Sequence, residues 1–498
     1  MIYMSSTGRD IPQLSTGIEE LDELLRGGVL KARMYLISGE PGTGKTTLGM
    51  HFLEAGLRND ETVLYIHGEE SSAELIANAA QFDIDIAAAE FLDLGPESDF
   101  FTDDPSYDLV NPRDIEERRY TQAIYEAVRE VNPDRIIIDP LTQLQYIEAS
   151  EYHYRKRILS FIRFLKEQEI TVLATVALDS NPSGTSEIRS LSDGVITLTR
   201  TQDGRRIEVE KNRGRGQIEG THGLEIRSQG LEVFPKVRPE PSDRSFDPKQ
   251  IHSGIDELDT LVGGGFERGT VTFISGPPGV GKTTLGAIYA TQAADEYGRS
   301  VIYLFEERLE TFAYRCRSIG IPIEKLRERD LLSIQVIEPG ALSAEEFAHM
   351  VRHEVEEIGA ETVFIDGIGG YISAIQGEED ELDRELHALT RYLTNREVAV
   401  FVTDAIHQIT GMSAGTSRQI SPIADNLMFL SYIELQGSLR KVIGVLKKRA
   451  GGFEHTLREF EITPDGVRVG APMTNLSGIL RGTAQRSSDR PADRDTDR

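Results

Sequence analysis

The sequence predicts an α/β chain built from two tandem copies of one domain, each a mostly parallel sheet flanked by helices. Three observations predict it. The chain repeats itself: Thr16-Gly17-Ile18-Glu19-Glu20-Leu21-Asp22 returns as Ser253-Gly254-Ile255-Asp256-Glu257-Leu258-Asp259. A glycine-rich stretch, Gly39-Glu-Pro-Gly-Thr-Gly-Lys-Thr-Thr47, returns as Gly276-Pro-Pro-Gly-Val-Gly-Lys-Thr-Thr284, and both repeats sit 237 positions apart. A constant offset of that size is a whole domain, not a solenoid unit. Within each half, β-branched runs of four or five residues alternate with helical stretches, as parallel strands covered on both faces do. Finally, 498 residues with 39% apolar content suffice for two large cores.

In chain order, Met34–Ser38 reads as a strand leading into a glycine loop, and Thr47–Ala55 as the helix that follows. Val63–Ile66, Arg135–Asp139 and Thr171–Thr175 read as buried strands, matched in the second half by Val271–Ser275, Val301–Phe305, Thr362–Asp366 and Val398–Val402. Pro239, Pro241 and Pro248 mark a linker, because proline removes backbone donors and favours extended chain. The expected organisation is a first domain over 1–238, a linker over 239–250, a second domain over 251–482, and a disordered tail over 483–498.

Composition excludes several classes. No run approaches the roughly 18 apolar residues that cross a bilayer, and Met1–Asp10 lacks the layout of a signal peptide. One cysteine, Cys316, leaves no internal disulfide framework and no multi-cysteine zinc site. The expectation is a cytoplasmic chain with no membrane contact. The net charge is −28, with 12 lysines against 42 arginines. That composition resembles proteins of extreme halophiles, so the charge is read as hydration in salty solvent before it is read as a clue to partners.

Both glycine loops match G-x-x-x-x-G-K-[ST] between a strand and a helix, the context in which that pattern cradles phosphate. Gly39, Gly42 and Gly44, with Thr43 among them, let the backbone N–H groups face an anion. Gly276, Gly279, Val280 and Gly281 do the same in the second half. The helix N-terminus adds partial positive charge. Lys45 and Lys282 are expected to reach the β- and γ-phosphates, and Thr46 and Thr283 to ligate Mg²⁺, with Thr47 and Thr284 completing each set. Asp139 and Asp366 end apolar strands, where a carboxylate sits over the metal. Glu69-Glu70 and Glu306-Glu307 each begin 24 residues after the loop lysine. Equal spacing puts both pairs at one corner of the fold, where a carboxylate can polarise an attacking hydroxyl. An N-K-x-D base-reading motif is missing, which favours ATP over GTP.

Taken together these residues resemble the KaiC family of RecA-like P-loop ATPases, over roughly Ile11 to Gly482. The likeness also rests on Gly27-Gly28 and Gly263-Gly264-Gly265, and on the closing stretches Tyr432–Arg440, Val445–Arg449 and Thr456–Thr463. It implies a homo-hexameric ring with ATP at subunit interfaces, and regulatory protein partners. It also implies that Lys211 with Arg213, and Lys447 with Arg449, contact the γ-phosphate held by a neighbouring subunit. In the family the first domain hydrolyses ATP slowly and the second phosphorylates its own Ser-Thr pair. The matching hydroxyl here is Ser421, the phosphoacceptor candidate. Pro422 stands where the clock members carry threonine and cannot accept phosphate. The resemblance therefore points to a Mg-dependent ATPase with serine/threonine autokinase activity. Two alternatives stay open at this stage: an ATP-switched hexameric scaffold with little turnover, and a RecA-like ATPase acting on DNA. The charge of −28 weighs against DNA.

Overall fold

A computed structural model describes residues 11–95, 112–141, 151–177, 182–201, 204–239, 249–376, 379–405, 423–435, 437–474, 476–477 and 485–486. The chain divides into two compact units, Met1–Lys236 and Val237–Arg498.

The first unit has nine strands in one sheet: β1 (Met34–Gly39), β2 (Val63–His67), β3 (Glu90–Asp93), β4 (Arg135–Asp139), β5 (Thr171–Ala177), β6 (Gly194–Thr201), β7 (Gly204–Asn212), β8 (Thr221–Arg227) and β9 (Gly230–Phe234). The order across the sheet is β3-β2-β4-β5-β1-β6-β7-β8-β9. The six strands from β3 to β6 are parallel, and β7, β8 and β9 continue antiparallel. Its helices are α1 (Glu19–Leu24), α2 (Lys45–Arg58), α3 (Ser72–Ala80), α4 (Pro112–Val131), α5 (Glu151–Glu167) and α6 (Pro182–Leu191).

The second unit repeats the plan with β10 (Val271–Gly276), β11 (Ser300–Leu304), β12 (Leu332–Val336), β13 (Thr362–Asp366), β14 (Ala399–Ala405), β15 (Asn426–Leu435), β16 (Ser438–Lys448), β17 (Arg458–Thr463) and β18 (Gly466–Pro472). Their order, β12-β11-β13-β14-β10-β15-β16-β17-β18, is the same permutation. Its helices are α7 (Asp256–Leu261), α8 (Lys282–Glu296), α9 (Leu309–Ser318), α10 (Ile323–Glu328), α11 (Ala344–Glu356), α12 (Ile368–Ala374) and α13 (Glu379–Asn395).

Strand period explains the two-sided burial. On one face of the first sheet Tyr35, Ile37, Tyr65 and Ile137 pack together. Met34, Leu36, Leu64, Ile66, Ile136 and Ile138 fill the other. The second sheet alternates likewise, Ile274, Ile302 and Phe364 on one side and Phe273, Val301, Tyr303 and Ile365 on the other.

The repeated T/S-G-I segment is a locked turn. Asp22 Oδ1 accepts from the Thr16 N–H at 2.8 Å and the Thr16 hydroxyl at 2.7 Å, and Asp259 Oδ1 makes the same pair of contacts with Ser253, at 2.8 and 2.7 Å. Near the chain end, Gln485–Arg486 pairs antiparallel with Leu476–Ser477; the rest of the segment expected to be disordered lies outside the described residues. Among the described residues no helix is long and apolar enough to cross a membrane.

Candidate active sites

Each site begins where the central strand of its sheet runs into a glycine loop and then a helix. Gly44 and Gly281 are the N-caps of α2 and α8, with φ of 104° and 119°. That left-handed backbone suits glycine, and a Cβ on Gly281 would also come within 2.8 Å of Ile462 and 2.9 Å of Phe460. Both lysines fold over their own loop: Lys45 Nζ donates to the carbonyls of Gly39 and Glu40 at 2.9 Å each, and Lys282 Nζ to those of Gly276 and Pro277 at 2.9 and 3.1 Å. Burial pushes both ammonium groups below the ordinary lysine value, while nearby carboxylates pull them back.

The threonine and the strand-end aspartate meet in both domains. Thr46 donates to Asp139 Oδ2 at 2.7 Å and Thr283 to Asp366 Oδ1 at 2.9 Å. These are hard oxygen donors at a shared point, the donor set that Mg²⁺ takes. Their surroundings differ. Asp139 also accepts from the Tyr65 hydroxyl at 3.1 Å and from the Thr175 hydroxyl. Asp366 accepts from Thr403 at 2.7 Å, and the Thr403 oxygen accepts the Gly367 N–H at 2.6 Å. Burial pushes the Asp366 carboxyl up to about 6, against the hydrogen bonds from Thr403 and Thr283.

The two members of each glutamate pair face different partners. Glu69 is felt electrostatically by Lys45, and Glu306 by Lys282. Their neighbours turn to the next helix: Glu70 accepts from Asn78 of α3 at 2.8 Å, and Glu307 pairs with Arg315 of α9 at 2.7 Å. The glycines after Asp366 have a steric role here. A Cβ on Gly367 would stand 3.0 Å from Glu306 Oε1, and one on Gly370 would stand 2.7 Å from Glu306 Cγ. They let Glu306 lie against the start of α12.

The Lys-x-Arg residues stand apart from the loops of their own domains. Arg213 N–H donates to Asp193 O, whose own N–H donates to Met34 O, so Arg213 is level with the start of β1. Gly39 ends that strand five residues on, about 17 Å away at strand rise. In the second domain Leu427 pairs with both Phe273 and Lys447, which repeats the placement. Lys211 Nζ donates to the carbonyls of Arg189, Ser190 and Ser192 at 2.9, 3.0 and 2.6 Å, closing the C-terminal end of α6. Lys447 Nζ donates to Ala424 O at 2.5 Å. Arg213 is exposed, and Arg449 pairs with Asp425 at 2.9 Å. Ser421 and Pro422 lie outside the described residues.

With this geometry in place, likeness to known proteins can be weighed. A sequence model of the KaiC ATPase matches residues 14–238 and again 251–474. The chain belongs to the KaiC family of ATPases. Similar curated proteins include the circadian clock oscillator protein KaiC of Parasynechococcus marenigrum (strain WH8102), 27% identical over 495 residues, covering 97% of this chain and 94% of that one. Circadian clock oscillator protein KaiC 1 of Synechocystis sp. (strain ATCC 27184 / PCC 6803 / Kazusa) is 27% identical over 496 residues, covering 96% and 93%. The KaiC protein of Thermostichus vulcanus is 27% identical over 495 residues, covering 96% and 93%. As a KaiC-like ATPase the chain binds ATP, and its doubled RecA-like architecture is that of the family.

The residues read from the sequence sit in local motifs. Not among them are Tyr65, Asn78, Thr175, Arg315 and Thr403, which carry no motif and reach the sites only through sheet register or helix packing. The 237-residue offset held a usable signal: Asn78 and Arg315 stand at matching positions after the two glutamate pairs.

Proposed function

We propose that each domain binds Mg·ATP on its own phosphate loop, and that Glu69 and Glu306 are the carboxylates that polarise the nucleophile. The loop N–H groups of 39–44 and 276–281 and the lysine ammonium groups would hold the phosphates, exchanging the lysines' present carbonyl contacts for phosphate oxygens. Thr46 with Asp139, and Thr283 with Asp366, would hold Mg²⁺, which when bound neutralises charge on the β- and γ-phosphates. Glu69 or Glu306 orients the attacking water by accepting its proton.

One observation carries the ring. Arg213 and Arg449 lie at the amino edge of sheets whose carboxyl edge carries the phosphate loop. A nucleotide touched by both edges must be shared between two copies of a domain. This supports Lys211, Arg213, Lys447 and Arg449 acting in trans within a homo-hexamer, where a cation would stabilise transition-state charge. In the second domain the nucleophile is either water or the Ser421 hydroxyl. In the autokinase step the Ser421 Oγ–P bond forms, the γ-phosphorus–oxygen bond to ADP breaks, and Glu306 takes the hydroxyl proton. The product is one phosphoserine, since Pro422 offers no second hydroxyl. The function we favour is a regulatory ring ATPase with serine autokinase activity.

The test is ATP turnover and phosphate incorporation in the wild type, Lys45→Ala, Lys282→Ala, Glu306→Gln and Ser421→Ala. We expect incorporation to vanish in Lys282→Ala, Glu306→Gln and Ser421→Ala while turnover from the first domain persists. Unchanged incorporation in Ser421→Ala removes that residue as acceptor.

A further inference from the structure

The two sites are near-copies, so a charged residue found in one and not the other needs a reason. Position 78 and its counterpart 315 is such a place. In the first domain Asn78 Nδ2 donates to Glu70 Oε2 at 2.8 Å, a tether with an uncharged donor from α3 to the turn that carries Glu69. In the second, Arg315 Nη2 meets Glu307 Oε2 at 2.7 Å, a charged tether from α9 to the turn that carries Glu306. Both bonds end on a carboxylate, but only the second also has an ionised donor, which adds Coulombic attraction between opposite charges to the hydrogen bond. The Glu307 side chain is 18% exposed and that of Arg315 38%, so solvent screens the pair only in part. Phe312, one turn back on α9, lies 5.7 Å beneath the guanidinium and helps fix it. The Arg315 Nε is buried and makes no hydrogen bond among the described residues. The guanidinium is also close enough to act electrostatically on Asp366. Glu306 is exposed and lies beside Gly367 and Gly370 at the start of α12, so its position depends on the turn that Glu307 anchors.

We propose that the second glutamate of each pair is a positioning residue, and that the Arg315–Glu307 tether holds Glu306 in a working geometry that the Asn78–Glu70 contact reproduces only loosely for Glu69. The inference rests on the reading of Glu69 and Glu306 as the carboxylates facing the nucleophile. Its consequence is that the two domains differ in turnover through a residue that touches no nucleotide. A glutamate displaced by even 1 Å loses much of its alignment with a nucleophile, so the tether acts on the chemical step more than on nucleotide affinity.

The experiment uses the full chain in a Glu69→Gln background, so that steady-state ATP turnover reports the second domain. We expect Arg315→Ala to lower kcat about tenfold with KM changed less than about twofold, the split of an interaction made in the transition state. Arg315→Lys restores at least half of the loss. Glu307→Ala matches Arg315→Ala, and the double variant is no slower than either single one, because both remove one contact. Three results overturn the tether: Arg315→Ala turning over like its parent, Arg315→Lys as slow as Arg315→Ala, or additive losses in the double variant. A separate result overturns the underlying reading, namely Glu69→Gln/Glu306→Gln turning over at the wild-type rate.

Discussion

His51 shows how a single side chain can give one domain a pH response that its twin lacks. It lies on α2, 6% exposed, and its Nε2 accepts the backbone N–H of Leu231 at 3.0 Å. Gly230 beside it has φ +93°, and a Cβ there would fall 2.2 Å from the same nitrogen. The contact needs a neutral ring, and burial pushes the His51 pKa down to about 4. In the unfolded chain the ring titrates near its ordinary value of about 6.5. As pH falls, the unfolded chain takes up the proton first, so the stability conferred by the neutral ring is intact above about pH 6.5 and is lost progressively down to about 4. That loss is on the order of 3 kcal/mol at its limit. The second domain carries Ile288 at the matching position. We therefore expect the first domain to lose stability selectively between pH 6.5 and 4. His51→Gln should flatten that limb in urea titrations followed at both pH values. An unchanged acid limb in the variant would clear His51 of the effect. Nothing in the sequence announced this residue, because its partner is 180 positions away.

Among the elements, the inner parallel strands were legible and most of the others were not. β1, β2, β4 and β5 and their copies are buried on both faces and read as unbroken apolar runs. β7 carries Arg205, Arg206, Glu208, Glu210 and Lys211, and β3 is bounded by Glu90 and Asp93; strands half in solvent lose that signature. The way β7 and β16 are pinned was equally hidden. Asn212 at the end of β7 donates to Leu25 O at 3.3 Å and accepts from the Tyr35 hydroxyl at 3.0 Å. Its counterpart Lys448 is buried, donates to the carbonyls of Val262 and Gly265 at 2.8 Å each, and pairs with Glu267 at 3.1 Å. A buried ion pair adds little net stability, but removing one partner strands the other. Glu267→Ala should thus cost the second domain about 3–5 kcal/mol, against about 1–2 kcal/mol for Asn212→Ala in the first. The double replacement Glu267→Leu/Lys448→Met should recover most of the loss. Calorimetry that resolves the two domains would measure all three. If Glu267→Ala melts like the wild type, the pair carries no such strain.

At the scale of the molecule, charge and assembly pull against each other. Each chain carries −28, so six chains brought together repel strongly, and the repulsion falls as salt shortens the screening length from about 10 Å at 0.1 M to about 3 Å at 1 M. In the proposed ring the attraction is local: a nucleotide on one phosphate loop would be met by the Lys-x-Arg residues of a neighbouring copy. Two dependences follow from that contrast. Assembly should require Mg·ATP, and it should strengthen rather than weaken as KCl rises, the reverse of an interface held by exposed salt bridges. Light scattering with Mg·ATP should give close to six times the 55.4 kDa chain mass in molar KCl and a smaller mass in dilute buffer. Replacing Arg213 and Arg449 by alanine should lower the mass at every salt concentration while leaving each domain's melting temperature nearly unchanged, since Arg213 is exposed and Arg449 makes a surface ion pair worth less than about 1 kcal/mol. A mass of 55.4 kDa with and without nucleotide across the whole salt range would refute the shared site, and with it the trans role of all four basic residues.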